Sequence, residues 1–370
     1  MRPKSAVQAI DYCFRAGKRP MLWSAPGVGK TSIIKQIAAK KKKDLVIVHG
    51  LLLDPADAHG FPVTVVEGER GYLPTMGHRE YITPDKIHTI FSRPGFMPKG
   101  GSNGGILFLD EFTKMFATSQ CAFSQLLLDG HIGEHYLPEG WDVAAASNRL
   151  GDRAGDHAMP TFLANRVVHL ELEVHVDDWC EWAITEAIKG GGDIQTEVAA
   201  FIRSFPQHLH GTGEVAARTK KGASEGMPEQ AFPTPRSWEF VSDILKQAPI
   251  PSDIEFDLVA GTIGKGSATE FRAFLNMYRD APSTDRILSD PKGAPIPKKP
   301  DIRYAVALGL ARVMDKGNVR AALTYLDRME SPDVAIMAVK VASERDESLC
   351  TTKEFTKFFI DHKDLMNLGA

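Results

Sequence analysis

The chain has 370 residues, of which 43% are hydrophobic and 25% charged, the balance of globular domains long enough to bury more than one core. Its net charge of −3 offers no basic field to gather nucleic acid or an anionic membrane surface, and no apolar run approaches the roughly 20 residues of a membrane span. Four scattered cysteines with no C-x-x-C pair argue against a disulfide framework or a zinc site, so reduced and mostly buried thiols are expected.

The opening MRPKSAVQAIDYCFRAGKRP interrupts its apolar pattern with charges. That suits an amphipathic helix rather than a signal peptide and leads to a cytoplasmic expectation. Ser5 is placed to cap this helix, with Val7, Ile10 and Phe14 on one face and Gly17 as the stop. MLWS then predicts a short buried strand, and SIIKQIAAKKKK a helix whose terminal lysines, Lys40 to Lys43, complement its dipole. DLVIVHGLLL is a second apolar strand. From Asp54 to Gly105 the pattern loosens, and FPVTVVEGERGYL predicts a hairpin turning at Glu67-Gly68.

GGILFLDEF is a continuous apolar strand ending in two carboxylates, followed by a helix with Phe123, Leu126 and Leu127 on one face. HIGEHYLPEGW predicts a small hairpin, DVAAASN a buried strand, and RVVHLEL a fifth strand. Strands alternating with helices predict an α/β fold with a five-stranded parallel sheet.

Between the first strand and its helix lies SAPGVGKTS, residues 24–32. It fits the phosphate-loop pattern G-x-x-x-x-G-K-S/T except that Ser24 stands where the leading glycine is usual. In such a loop, backbone N–H groups curl around phosphates at a helix N-terminus, where the dipole favours anions. Ala25, Pro26, Gly27, Val28, Gly29, Lys30, Thr31 and Ser32 are the candidate cradle, with Lys30 directed to the β- and γ-phosphates and Thr31 to Mg²⁺. A small Ser24 is compatible with the strand exit. ILFLDE then supplies Asp110 as a second Mg²⁺ holder, and Glu111 to orient and activate a water for in-line attack.

In this combination the chain resembles the AAA+ ATPases of the MoxR-like, dynein-related group. The resemblance runs through the loop, LLLDPADAHGFP, ILFLDEF, QLLLDGHIGEHYLPEGWDVAAASNR, FLANRVVHLEL and TPRSWEF, or roughly residues 1–250. It implies ATP as the nucleotide, and the want of an N-K-x-D guanine-reading motif agrees. It further implies that Asn148 is a sensor of the γ-phosphate or attacking water, that Arg166 is an arginine finger offered to a neighbouring subunit, and that Arg236 is a second sensor on a lid helix. Read from the residues alone, Asn148 could be a strand-end turn residue, Arg166 an ordinary strand-end charge and Arg236 a surface arginine. Arg149 and Arg153 compete for the trans role.

The resemblance also implies a homo-oligomeric ring, a hexamer, that remodels client proteins, often with a partner bearing a von Willebrand factor A domain. Segment 57–105 would hold a pore-facing insert, with Tyr72, Tyr81 and Phe91 either client contacts or core aromatics. The alternative reading is a nucleic-acid-associated AAA+ motor or a restriction-type NTPase component, which the slight acidity disfavours. A nucleotide-gated scaffold is a third, against which Lys30, Asp110 and Glu111 count.

After residue 174 the pattern becomes helical: DDWCEWAITEAIKGGG, then QTEVAAFIRSF with Val198, Phe201, Ile202 and Phe205 on one face. A Gly/Pro-rich loop over 211–235 leads to TPRSWEFVSDILKQA, with Thr234 as N-cap and Pro235 in the first turn. Residues 251–370 are mostly helical, broken by the proline-rich linker 290–301. The expected domains are a large α/β subdomain (1–173), a small helical lid (174–250) and a helical C-terminal extension (251–370). GTIGKGS, residues 261–267, imitates a phosphate loop, but its glycine spacing is short and no strand precedes it. Ser267 and Glu270 instead suit a capping box. His49, His59, His78, His208 and His210 lack metal-ligand spacing and read as loop histidines.

Overall fold

The computed structural model describes residues 1–52, 57, 60–66, 87–99, 104–149, 157–185, 192–211, 231–247 and 249–362. Met1–Glu173 and Val174–Ala370 form two compact units.

The first unit is a parallel sheet of β1 (Pro20–Ser24), β2 (Asp44–His49), β5 (Gly105–Asp110), β8 (Trp141–Asn148) and β9 (Val168–Glu171), in the order β2-β5-β8-β1-β9. These are the five strands the sequence predicts, and they make this an α/β fold built on a five-stranded parallel sheet. Both faces are covered. Ile106 and Phe108 of β5 pack with α1 (Pro3–Arg15) and α2 (Lys30–Lys41), while Leu107 and Leu109 face Phe123, Leu126 and Leu127 of α3 (Ala117–Asp129). A strand buried on both sides must be apolar at every position, so ILFL runs without alternation.

Register, more than composition, gathers the strand ends. Ser24 lies opposite Asn148, and His49 opposite Asp110, so the polar residues that close these strands meet at one carboxyl edge.

Local expectations failed where distant contacts decide. The first helix starts at Pro3 with Arg2 at its N-cap, and Ser5 lies inside it and does not cap it. Proline is suited to that first position because its missing N–H is not needed there. β3 (Pro62–Val66) pairs antiparallel with β4 (Ile87–Phe91). The expected turn at Glu67-Gly68, together with Tyr72 and Tyr81, lies outside the described residues, and Phe91 is exposed on β4. The small hairpin does form, as β6 (His131–Ile132) and β7 (His135–Tyr136).

The second unit is helical and packs around Phe201. This ring, on α6 (Thr196–Ser204) after α5 (Val176–Ile184), touches Phe205, His208, Trp238, Phe271 and Phe274 with centroids 5.1–5.6 Å away. Trp238 comes from α7 (Pro235–Leu245), whose start is fixed as predicted. The Thr234 hydroxyl accepts from the Ser237 N–H at 3.0 Å, and the Ser237 hydroxyl accepts from the Thr234 N–H at 2.7 Å.

Phe271 and Phe274 come from α9 (Lys265–Arg279), which follows α8 (Ser252–Ile263). The expected capping box at Ser267 is absent, because α9 already begins at Lys265 after Gly264. Ser267 and Glu270 instead grip the two ring nitrogens of His208, at 3.0 and 2.9 Å.

Beyond α10 (Thr284–Ser289), the segment expected to be a linker is a packed connection. α11 (Pro300–Val313) and α12 (Val319–Arg328) precede α13 (Pro332–Arg345) and α14 (Lys353–Asp361). Arg303 donates to the Pro297 carbonyl, Tyr325 to Pro295, and Arg328 to Pro291 and Ala294. A proline-rich stretch cannot build a ladder of its own, so side-chain donors satisfy its carbonyls. Residues on both sides of position 250 share the one core of this unit, from Trp179 to Phe358. Among the described residues, no helix is long and apolar enough to cross a membrane.

Burial separates the four thiols. Cys13 and Cys180 are buried, and burial pushes the Cys180 thiol up to about 12; Cys121 and Cys350 are exposed. The thiolate is the reactive form. Titration with a thiol-specific chromogenic disulfide should therefore modify two cysteines rapidly in the native protein and four after denaturation. Rapid native reaction at Cys180 would contradict this packing.

Candidate phosphate-binding site

The loop after β1 begins at Ser24, a fully buried residue. Gly27 (φ 75°) and Gly29 (φ 104°) take left-handed backbone conformations, and Gly29 is the N-cap of α2. Only glycine adopts such angles freely, so the spacing G-V-G-K becomes a tight curl that delivers Ala25 to Ser32 to the helix N-terminus. That terminus carries the positive end of the helix dipole.

Lys30, the first residue of α2, turns back under the loop. Its ammonium donates to the Asn148 Oδ1 at 2.8 Å, the Ser24 Oγ at 3.0 Å and the Ser24 carbonyl at 3.3 Å. All three acceptors are neutral oxygens. Ser24 is therefore more than a residue small enough to replace glycine, since its hydroxyl supplies one of the holds on Lys30. The contact with Asn148 also sets that amide, with Oδ1 toward the ammonium.

Beside this pair, the Thr31 hydroxyl donates to Asp110 Oδ2 at 2.7 Å, and Asp110 Oδ1 accepts the Glu111 N–H at 3.0 Å. The hydroxyl and carboxylate are hard oxygen donors of the kind Mg²⁺ takes, together with phosphate oxygens and water. Among the described residues, no cluster of three His, Cys, Asp or Glu side chains could hold a metal by itself.

Glu111 follows in a left-handed conformation (φ 56°), an uncommon state for a non-glycine residue and one that recurs at functional sites. It opens the 3₁₀ turn Phe112–Lys114, and Lys114 pairs its ammonium with the Glu111 carboxylate. Two features that sequence reasoning missed hold this turn. The Thr113 N–H donates to the Ser147 hydroxyl at 2.7 Å, which ties the turn to β8 just before Asn148. Gly50 lies beneath it, where a Cβ would come within 2.8 Å of the Glu111 carbonyl and the Met115 side chain.

The arginines are disposed differently. Arg166 sits in the turn between α4 (Thr161–Ala164) and β9, and its exposed side chain has no hydrogen-bond or ion-pair partner among the described residues. Arg149 leaves β8 directly after Asn148, with its guanidinium 3.7 Å from the Glu171 carboxylate of its own chain. Arg153 lies outside the described residues. Arg236 belongs to the second unit, where it is exposed in the first turn of α7.

No family model matches the chain, and no curated protein does so at a significant level. Among solved structures, it is similar to the Holliday junction branch migration motor RuvB of Thermotoga maritima. That match has 15% identity and a TM-score of 0.34, covering 76% of this chain and 78% of that one. It is also similar to NtrX of Brucella abortus, at 13% identity and a TM-score of 0.30, covering 71% and 64% respectively.

Proposed function

We propose that the chain is an ATP-hydrolysing AAA+ protein of the MoxR-like kind, acting with Mg²⁺. The observation that carries this reading is the convergence of Ser24, Lys30, Thr31, Asp110, Glu111 and Asn148 at one carboxyl edge of the sheet. In parallel α/β sheets that edge is where ligands bind.

In this reading, the loop amides and Lys30 hold the β- and γ-phosphates, while Thr31 and Asp110 would hold Mg²⁺, which would supply positive charge against the negative charge that develops in the transition state. The Glu111 carboxylate orients a water for in-line attack and takes its proton as the new P–O bond forms, while the bond from the γ-phosphorus to the β–γ bridging oxygen breaks and ADP leaves. Asn148 reports the γ-phosphate to the loop through Lys30. Arg166, exposed and unpaired among the described residues, is the side chain available to a neighbouring subunit's site, whereas Arg149 faces Glu171 of its own chain. Arg236 serves as the second sensor.

A donor in trans requires neighbours, so the working form is a ring, a hexamer of this chain. Residues 1–173 are its large subdomain, 174–250 the lid and 251–370 a helical extension. Its work is the remodelling or activation of a protein client in the cytoplasm, with a von Willebrand factor A domain protein as a candidate partner.

Three substitutions test this. Lys30→Ala should abolish binding of a fluorescent ATP analogue, and unchanged affinity would overturn the phosphate-loop assignment. Glu111→Gln should retain binding while turnover falls by about 100-fold or more, the scale of a lost general base; wild-type turnover would remove Glu111 from the mechanism. Arg166→Ala should bind ATP normally but lose about 1,000-fold in turnover. In rings mixed with wild type, the loss should fall on the adjoining subunit's site. A defect confined to the mutant's own site would place this arginine in cis.

A further inference from the structure

Among the described residues nothing grips the Arg166 side chain itself, so the backbone turn that presents it must be held by something else. That turn follows α4, a single helical turn, and is closed by the Arg166 N–H donating to the Leu163 carbonyl at 3.0 Å. The Ala164 carbonyl lies at the helix end, where the last carbonyls have no partner within the helix. It is met by His169 Nε2 at 2.8 Å. His169 belongs to β9, opposite Met21 of β1. Its other nitrogen, Nδ1, is 2.8 Å from the indole Nε1 of Trp23, and the two rings stack with centroids 5.8 Å apart.

The chemistry of the donors settles the proton. An indole N–H can only donate, so His169 Nδ1 must accept. In the neutral ring the hydrogen then sits on Nε2, where it donates to Ala164. Trp23 thus selects the one neutral tautomer that can hold the turn. It is also the residue immediately before Ser24, so the chain runs directly from this bond into the phosphate loop.

We propose that His169, set by Trp23, is a positioning residue that fixes the Arg166 turn for its action on a nucleotide bound by a neighbouring subunit. This rests on the proposed role of Arg166 in trans. His169 touches no reacting atom; it acts through the placement of the arginine, where a displacement of about 1 Å can cost on the order of 100-fold in rate.

The test measures steady-state ATPase activity, binding of a fluorescent ATP analogue and thermal melting for the full chain and its variants. His169→Phe should lower kcat by roughly 10- to 100-fold, with KM and analogue affinity unchanged. His169→Gln, which restores a donor toward the Ala164 carbonyl, should recover most of the activity. Trp23→Phe should fall between wild type and His169→Phe, and serves as a second probe if His169→Phe melts early. The double variant His169→Phe/Arg166→Ala should be no slower than Arg166→Ala alone, because effects that act through one group do not add.

Wild-type kcat in His169→Phe, with Arg166→Ala inactive, would overturn the positioning role and leave the Arg166 reading standing. Additive losses in the double variant, or failure of Gln to rescue, would also overturn it. Wild-type turnover in Arg166→Ala would overturn the Arg166 reading, and this inference with it.

Discussion

A lysine ammonium cannot be brought to the edge of a packed sheet unless its three N–H groups are met by oxygens. At Lys30 two of those oxygens belong to Ser24 and one to Asn148, residues that lie opposite each other on neighbouring strands. The rest of the candidate site depends on that register. It needs β1 and β8 adjacent, β5 on the far side of β8, and helix α2 starting where the loop ends, so that Thr31 falls beside Asp110. A slip of one residue in β1 or β8 would turn that strand's side chains to the opposite face and part Ser24 from Asn148. The long apolar strands resist such a slip, because both of their faces are already committed to cores.

The parts legible in the sequence were those governed by short-range rules. Glycine spacing gave the loop, since positive φ at Gly27 and Gly29 follows from the motif itself. Unbroken apolar runs gave the buried strands, and Thr234-Pro235 gave a helix start. The parts that were not legible depend on partners far along the chain. β3 finds its partner in β4, where Val66 lies opposite Ile87, well beyond the reach of a local turn signal. Ser267 and Glu270 have the spacing of a cap, but the helix starts two residues before Ser267, and both side chains are drawn to His208. Ser147, Gly50 and His169 carry no motif at all. Each matters because of what folding sets against it: the Thr113 N–H, the Glu111 carbonyl and the Trp23 indole.

The second unit obeys the same rule through its connections. DPKGAPIPKKPD has the composition of a spacer, and composition sets only what a segment can do when nothing binds it. Here Arg303, Tyr325 and Arg328 bond its carbonyls, and Ala294 is buried against the core. The donors lie on α11 and α12, so the segment gains its order from helices that come after it in the chain. Its prolines help by reducing the conformational freedom lost on folding.

Gly50 has a bearing on timing. Because position 50 is glycine, no side chain crowds the Glu111 carbonyl or the turn it opens. The carboxylate itself can leave Lys114 by rotating side-chain bonds alone. Such rotations take on the order of picoseconds to nanoseconds, whereas loop rearrangements run to microseconds. A glycine with no chemistry of its own thus keeps the turn clear, and the motion left to the acidic group is rotation of its side-chain bonds, which belongs to the fast class.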